Sequence, residues 1–112
     1  MDLYEIWVDL APGEKDRELV TAIQGWLDYH IANNTIERYR ISRRKFGFGF
    51  APLGEFHITI ECKSLAQLDE AFSLAATRAG EAERLHVEVY RRVTNYHSAL
   101  YRDYPDPEDR RE

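Results

Sequence analysis

Two stretches of this chain alternate apolar and polar side chains with a period of two, and this alternation narrows the fold more than any other feature. In residues 3–10, Tyr4, Ile6, Val8 and Leu10 take one face, and Glu5, Trp7 and Asp9 take the other. In residues 55–62, Phe56, Ile58, Ile60 and Cys62 take one face, and His57, Thr59 and Glu61 take the other. A single apolar face at this period is the pattern of a strand in a sheet covered on one side. Ala11-Pro12-Gly13 ends the first stretch, because Pro and Gly punctuate regular elements.

Between the two lies a helical pattern over about 14–32. Leu19, Ala22, Ile23, Trp26, Leu27, His30 and Ile31 recur every three or four residues and make one apolar stripe. Glu14, Asp16 and Glu18 sit near its start, where the helix dipole favours acids. Asn33-Asn34 predicts its end, since Asn tolerates the left-handed conformation of a helix terminus. Residues 36–46, IERYRISRRKF, read as a second strand, charged enough to stand at a sheet edge. Residues 47–54, GFGFAPLG, form a connector whose Gly and Pro residues disfavour a regular strand. After the 55–62 strand, Ser64 with Gln67 makes a capping box for a second helix, with Leu65, Leu68, Ala71, Phe72, Ala75, Ala76 and Ala79 as its stripe and Gly80 as its stop. Leu85, Val87, Val89 and Val93 alternate with polar residues and predict a last strand over 85–93. Residues 95–104 are mixed and read as a short turn or helix, and PDPEDRRE as a mobile tail.

The order βαββαβ predicts an α+β, ferredoxin-like sandwich. Two helices cover one face of a four-stranded antiparallel sheet, with spatial order 4-1-3-2. One domain, residues 1–106, accounts for the chain up to a tail over 107–112. The opposite face of this predicted sheet carries Glu5, Trp7, Asp9, His57, Thr59, Glu61, His86, Glu88, Tyr90 and Arg92.

Composition agrees with a small globular domain. The chain has 112 residues, of which 44% are hydrophobic and 31% charged, unlike a disordered chain. Its net charge of -5 argues against the broad positive footprint of a nucleic-acid-binding protein. The single cysteine, Cys62, excludes an internal disulfide and a cysteine-rich zinc site, and its apolar neighbours predict a buried thiol in a reducing compartment. The start, MDLYEIWVDL, lacks the pattern of a secretion signal, and no apolar run is long enough to span a bilayer. A cytoplasmic protein that binds neither membrane nor nucleic acid is expected.

Several stretches carry a family resemblance: DLAPGEKD (9–16), SRRKFGFG (42–49), LGEFHITIE (53–61), LAQLDEAF (65–72) and ALYRDYPD (99–106). On these the chain resembles a small bacterial family of uncharacterised function within the dimeric α/β-barrel superfamily. The resemblance implies a homodimer in which two sheets face each other and enclose a barrel. That superfamily includes monooxygenases, haem-degrading enzymes, decarboxylases and stress-response proteins. None of their catalytic patterns matches this chain residue by residue.

The residues themselves point to one face. His57, with Glu5 and Glu61 near it by parity, has the make-up of a general base oriented by a carboxylate. Trp7 and Tyr90 offer flat surfaces for a planar organic ligand. Arg40, within the basic run 38–45, offers a guanidinium for its carboxylate, and His86 a further polar contact. The same residue types serve equally as hydrogen-bonded packing between subunits. His57, His86, Glu5, Glu61 and Glu88 have no metal-site spacing, and no metal is expected. No phosphate-binding or dinucleotide-binding glycine motif is present, and no cofactor is expected. The reading is a homodimer that binds a small planar or carboxylated organic molecule. A cofactor-independent monooxygenase, isomerase or decarboxylase and a non-catalytic structural or regulatory dimer are the alternatives.

Overall fold

The computed structural model describes residues 1–77 and 80–106. In chain order its elements are β1 (Asp2–Leu10), α1 (Asp16–Ala32), β2 (Arg38–Arg43), β3 (Phe56–Cys62), α2 (Leu65–Ala76), α3 (Gly80–Tyr90) and β4 (Val93–Arg102). The strands form one antiparallel sheet in the order β2-β3-β1-β4, the expected 4-1-3-2 arrangement. The tail expected over 107–112 lies outside the described residues.

Three expectations need correction. The sheet is not closed into a barrel: β2 and β4 are free edges of an open sheet. The helical layer holds three helices where two were predicted. The third occupies the segment read as the last strand, and the true β4 is the segment read as a turn. The apolar residues of 85–93 fit a helix as well as a strand. Ala82 and Val89 are buried, Leu85 is half-buried between them, and Val87, on the opposite side of the turn, is exposed. This is a helical stripe with one strand-like coincidence.

The core lies between the sheet and the helices. Ile6 and Val8 of β1 and Phe56, Ile58, Ile60 and Cys62 of β3 meet Leu19, Ile23 and Leu27 of α1, Leu68 and Ala71 of α2, and Val89 of α3. The pleat drives every second residue of the two central strands into this layer, so the alternating pattern is the cause of the burial. The termini of the helices follow local chemistry. The Gln67 amide donates to the Ser64 hydroxyl at 3.2 Å, and the Lys63 amide donates to the Gln67 side chain at 2.6 Å. Asn34, just past α1, has φ 59 and turns the chain towards β2.

Arg92, in the turn before β4, ties α1 to α3. Its guanidinium reaches Glu14 at 2.7 Å, Glu88 at 3.1 Å and Glu18 at 3.3 Å. Asp9 joins three segments near the end of β1. Its carboxylate accepts from the Glu55 amide at 2.8 Å and from the Asn95 side chain at 2.9 Å. Those hydrogen bonds hold the Asp9 carboxyl below its ordinary pKa, Asn95 contributing most. Asn95, at φ 56, sits where the β1–β4 register slips between Trp7 and Asp9. This extra residue on β4 is a bulge, and Asn is among the few side chains that accept its backbone conformation.

Candidate functional site

The strand registers lay out the uncovered face of the sheet in three rows. The first runs Ser42–His57–Trp7–His97, the second Arg40–Thr59–Glu5–Ala99, and the third Arg38–Glu61–Leu3–Tyr101. Each row crosses all four strands, and neighbouring rows are about 7 Å apart, two residues along a strand.

His57, Trp7 and Glu5 form one cluster. The His57 imidazole lies flat on the Trp7 indole, with ring centroids 4.7 Å apart and planes 6° from parallel. Its Nε2 is 2.6 Å from Glu5 Oε1, and the Thr59 hydroxyl donates to that same oxygen at 2.7 Å. Glu5 is buried at 8% exposure, so these two groups replace the water its carboxylate would otherwise hold. With Nε2 donating to the carboxylate, the neutral imidazole presents Nδ1 as its free basic nitrogen.

The small side chains Thr59 and Ala99 flank Glu5 in the second row, and Arg40 stands at its β2 end. Arg38 is neutralised by Glu61 at 3.0 Å, and Arg43 by Glu55 at 2.7 Å and Asp16 at 2.9 Å. Arg40 is exposed and has no carboxylate partner among the described residues. Next to the first row is a cleft of about 230 Å³, lined by Trp7, His57, Arg44, Phe48, Phe50 and Leu53 among others. The connector supplies its outer wall, and Phe48 there is 80% exposed.

The structure brings together Glu5, Trp7 and His57, sets Arg40 on the same face in the row of Glu5, and separates the other expected site residues. Glu61 shares the strand and face of His57 but stands about 13 Å along it, where it pairs with Arg38. His86 and Tyr90 lie on α3, in the helical layer, because their segment is a helix. There His86 packs beside Trp26, with ring centroids 5.9 Å apart, and beside Tyr90 at 6.1 Å. Glu88 and Arg92 leave the sheet face for the same reason. Among the described residues, no three His, Cys, Asp or Glu side chains converge as a metal centre would require. His97 falls in the segment expected as a short turn or helix. It is the cross-strand neighbour of Trp7, so the indole has a histidine on each flanking strand. Recognising β4 in residues 93–102 was the step needed to find it.

The chain belongs to a family of unknown function, DUF6614, whose model matches residues 1–112. No curated protein matches the sequence. Solved structures with a similar fold include a protein of Arabidopsis thaliana (TM-score 0.71, 10% identity, covering 95% of this chain and 98% of that one). A dimeric ferredoxin-like protein of unknown function from Jannaschia also matches, at TM-score 0.63 and 11% identity over 92% of this chain and 100% of that one. A dimeric protein of unknown function with a ferredoxin-like fold from Bacteroides fragilis matches at TM-score 0.57 and 10% identity, over 89% of this chain and 93% of that one. The fold is therefore ferredoxin-like and is not confined to bacteria. No helix among the described residues is long and apolar enough to cross a membrane.

Proposed function

We propose that the protein is a cytoplasmic homodimer that binds a small planar or carboxylated organic molecule on the open sheet face. The ligand's plane packs against Trp7 and its anionic group meets Arg40. The observation that carries this reading is the Trp7–His57–Glu5 cluster beside an open cleft: a flat surface, an oriented imidazole and a nearby unpaired guanidinium occupy one face. Dimeric relatives of the same fold support the homodimer.

A second reading makes the same site catalytic, as a cofactor-independent monooxygenase, isomerase or decarboxylase. The Glu5–His57 contact favours it. A carboxylate that accepts the Nε2–H hydrogen bond leaves Nδ1 ready to accept a proton from a bound molecule.

Native mass spectrometry of freshly purified protein, under gentle and denaturing conditions, tests the proposal. A dimer with a small extra mass that is lost on denaturation is the expected result. Benzoate then serves as a defined probe, and its binding should weaken at least tenfold in Arg40→Ala and in Trp7→Ala. A monomer throughout the micromolar range overturns the homodimer. Benzoate affinities unchanged by both substitutions overturn the site.

A further inference from the structure

The connector between β2 and β3 carries three phenylalanines at its surface. Phe46, Phe48 and Phe50 are 86%, 80% and 68% exposed. A phenylalanine has about 150–250 Å² of surface to bury, so three on one short loop approach the size of patch that marks an interaction site.

Local chemistry holds this loop in shape. The Phe48 amide donates to the Lys45 carbonyl at 3.1 Å, closing a turn in which Phe46 has φ 56 and Gly47 has φ 72. Two positive φ values in succession are the pattern of a type I′ turn, whose first central position normally holds Asn, Asp or Gly. A phenylalanine there is strained. A second turn follows, with the Leu53 amide donating to the Phe50 carbonyl at 3.0 Å. Arg44 ties the two together. Its guanidinium donates to the Leu53 carbonyl, and its side chain runs where a Cβ at Gly49 would fall. The loop is thus a built structure that keeps an apolar ring where a small polar side chain fits better.

The same segment is basic within an acidic chain. From Arg38 to Gly54 there are five cations, Arg38, Arg40, Arg43, Arg44 and Lys45, and no Asp or Glu. The rest of the chain has 10 basic residues against 20 acidic ones. Lys45 is exposed at the root of the loop, its ammonium 5.8 Å from the centre of the Phe46 ring. It has no carboxylate partner among the described residues.

Exposed rings beside an uncompensated cation fit the interface of an anionic bilayer, where rings sit among the headgroups and cations meet phosphate. A protein partner fits less well. A stable protein interface needs about 800 Å² a side, more than three rings supply. Nucleic acid fits less well too, because bases stack on rings laid across a platform, and these rings stand on a turn.

We propose that residues 44–53 dock the protein on an anionic membrane surface. Phe46, Phe48 and Phe50 enter the headgroup region, Lys45 meets lipid phosphate, and the arginines of β2 add longer-range attraction. Such attachment needs no spanning helix, and the net charge of -5 does not oppose it, because the acids lie outside the segment. It revises the expectation of a protein that binds no membrane. The surface is independent of the ligand proposed for the cleft.

The test is flotation of the full chain with vesicles of phosphatidylcholine alone and of an equal mixture with phosphatidylglycerol. Binding to the mixed vesicles should be at least tenfold tighter than to phosphatidylcholine and should weaken as salt is added. The triple variant Phe46→Ser, Phe48→Ser, Phe50→Ser should lose at least tenfold in that binding, with its urea midpoint unchanged because the rings are exposed. Lys45→Glu should weaken binding as well, and it decides the matter if the triple variant does not fold. Failure of the natural chain to float with the mixed vesicles overturns the proposal, as does equal binding by the natural chain and the folded variants. Conversion of a dimer to a monomer by the triple variant, without vesicle binding by the natural chain, also overturns it and assigns the rings to contact between copies. Retention of single-stranded RNA in place of vesicles overturns it in favour of nucleic acid.

Discussion

The His57 imidazole and the Trp7 indole are parallel to within 6° on adjacent strands, and Glu5 Oε1 holds the imidazole from its edge. Ring stacking adds about 0.5–1.5 kcal/mol beyond area burial. A double-mutant cycle of Trp7→Leu and His57→Ala, read by urea unfolding, should return a coupling energy of about 1 kcal/mol. Additive single effects would show that the two rings are neighbours without mutual stabilisation. In the same assay Glu5→Gln, which keeps an acceptor, should cost less than Glu5→Ala, which removes the partner of both His57 and Thr59.

His30 makes stability depend on pH. Its pKa is depressed in the folded state by burial first and by His86 second. The unfolded chain therefore binds the proton more readily, starting near the ordinary value of 6.5. The contribution is complete above that pH and is lost as pH falls from it towards the depressed folded value. Urea midpoints should decline from pH 7.5 to pH 5. His30→Phe should flatten that decline, and an unchanged slope would assign it to another group.

Gly54 precedes β3 against the backbone of β1. A Cβ placed there would fall on the carbonyl group of Val8. Neither backbone can yield without disturbing the central strand pair. Gly54→Ala should therefore destabilise the protein by about 3 kcal/mol, a size reached through steric strain rather than lost contacts. Gly13→Ala is the control, since a Cβ at Gly13 meets nothing within 4 Å. Its φ of 82 should confine the cost to backbone strain of about 1 kcal/mol.

Cys62 is fully buried between β3 and the helices, and burial pushes its thiol pKa up to about 11. The thiol is thus both shielded and protonated at neutral pH. Modification by a disulfide reagent at pH 8 should proceed only as fast as the structure opens, and urea should accelerate it in step with unfolding. Rapid labelling of the native protein would contradict the burial.

Where one face of an element is buried, the residue pattern announced it. β1, α1, β3 and α2 were legible for that reason, because Ile6, Leu19, Ile58 and Leu68 each recur at their element's own period. β4 was not legible. Thr94, Asn95, Tyr96, His97 and Ser98 are all exposed, so no alternation marks the strand. It is defined by its ladder to β1, which no local pattern encodes. The error over 85–93 has the same root. Leu85, Val87 and Val89 fit a strand period, while Ala82, Leu85 and Val89 fit a helical one, and it is the helical set that is turned inward. Glu5, Trp7 and His57 were legible as a group because they follow from the two clear strands. Arg40 was legible as a candidate, but its lack of a carboxylate became visible only once Arg38 and Arg43 had found theirs. His97 depends on a contact between segments far apart in sequence.

The place of β1 between β3 and β4 has a consequence for how the chain is made. β1 is the first strand to be synthesised, and both of its neighbours come much later, β4 last of all. Until β3 emerges, Ile6 and Val8 wait without a sheet around them, while α1 can wind behind them as soon as it appears. The sheet cannot be completed until Val93–Arg102 has cleared the ribosome. A chain stalled just past α3 would hold most of the core residues and still leave one flank of its central strand open to a neighbouring nascent chain.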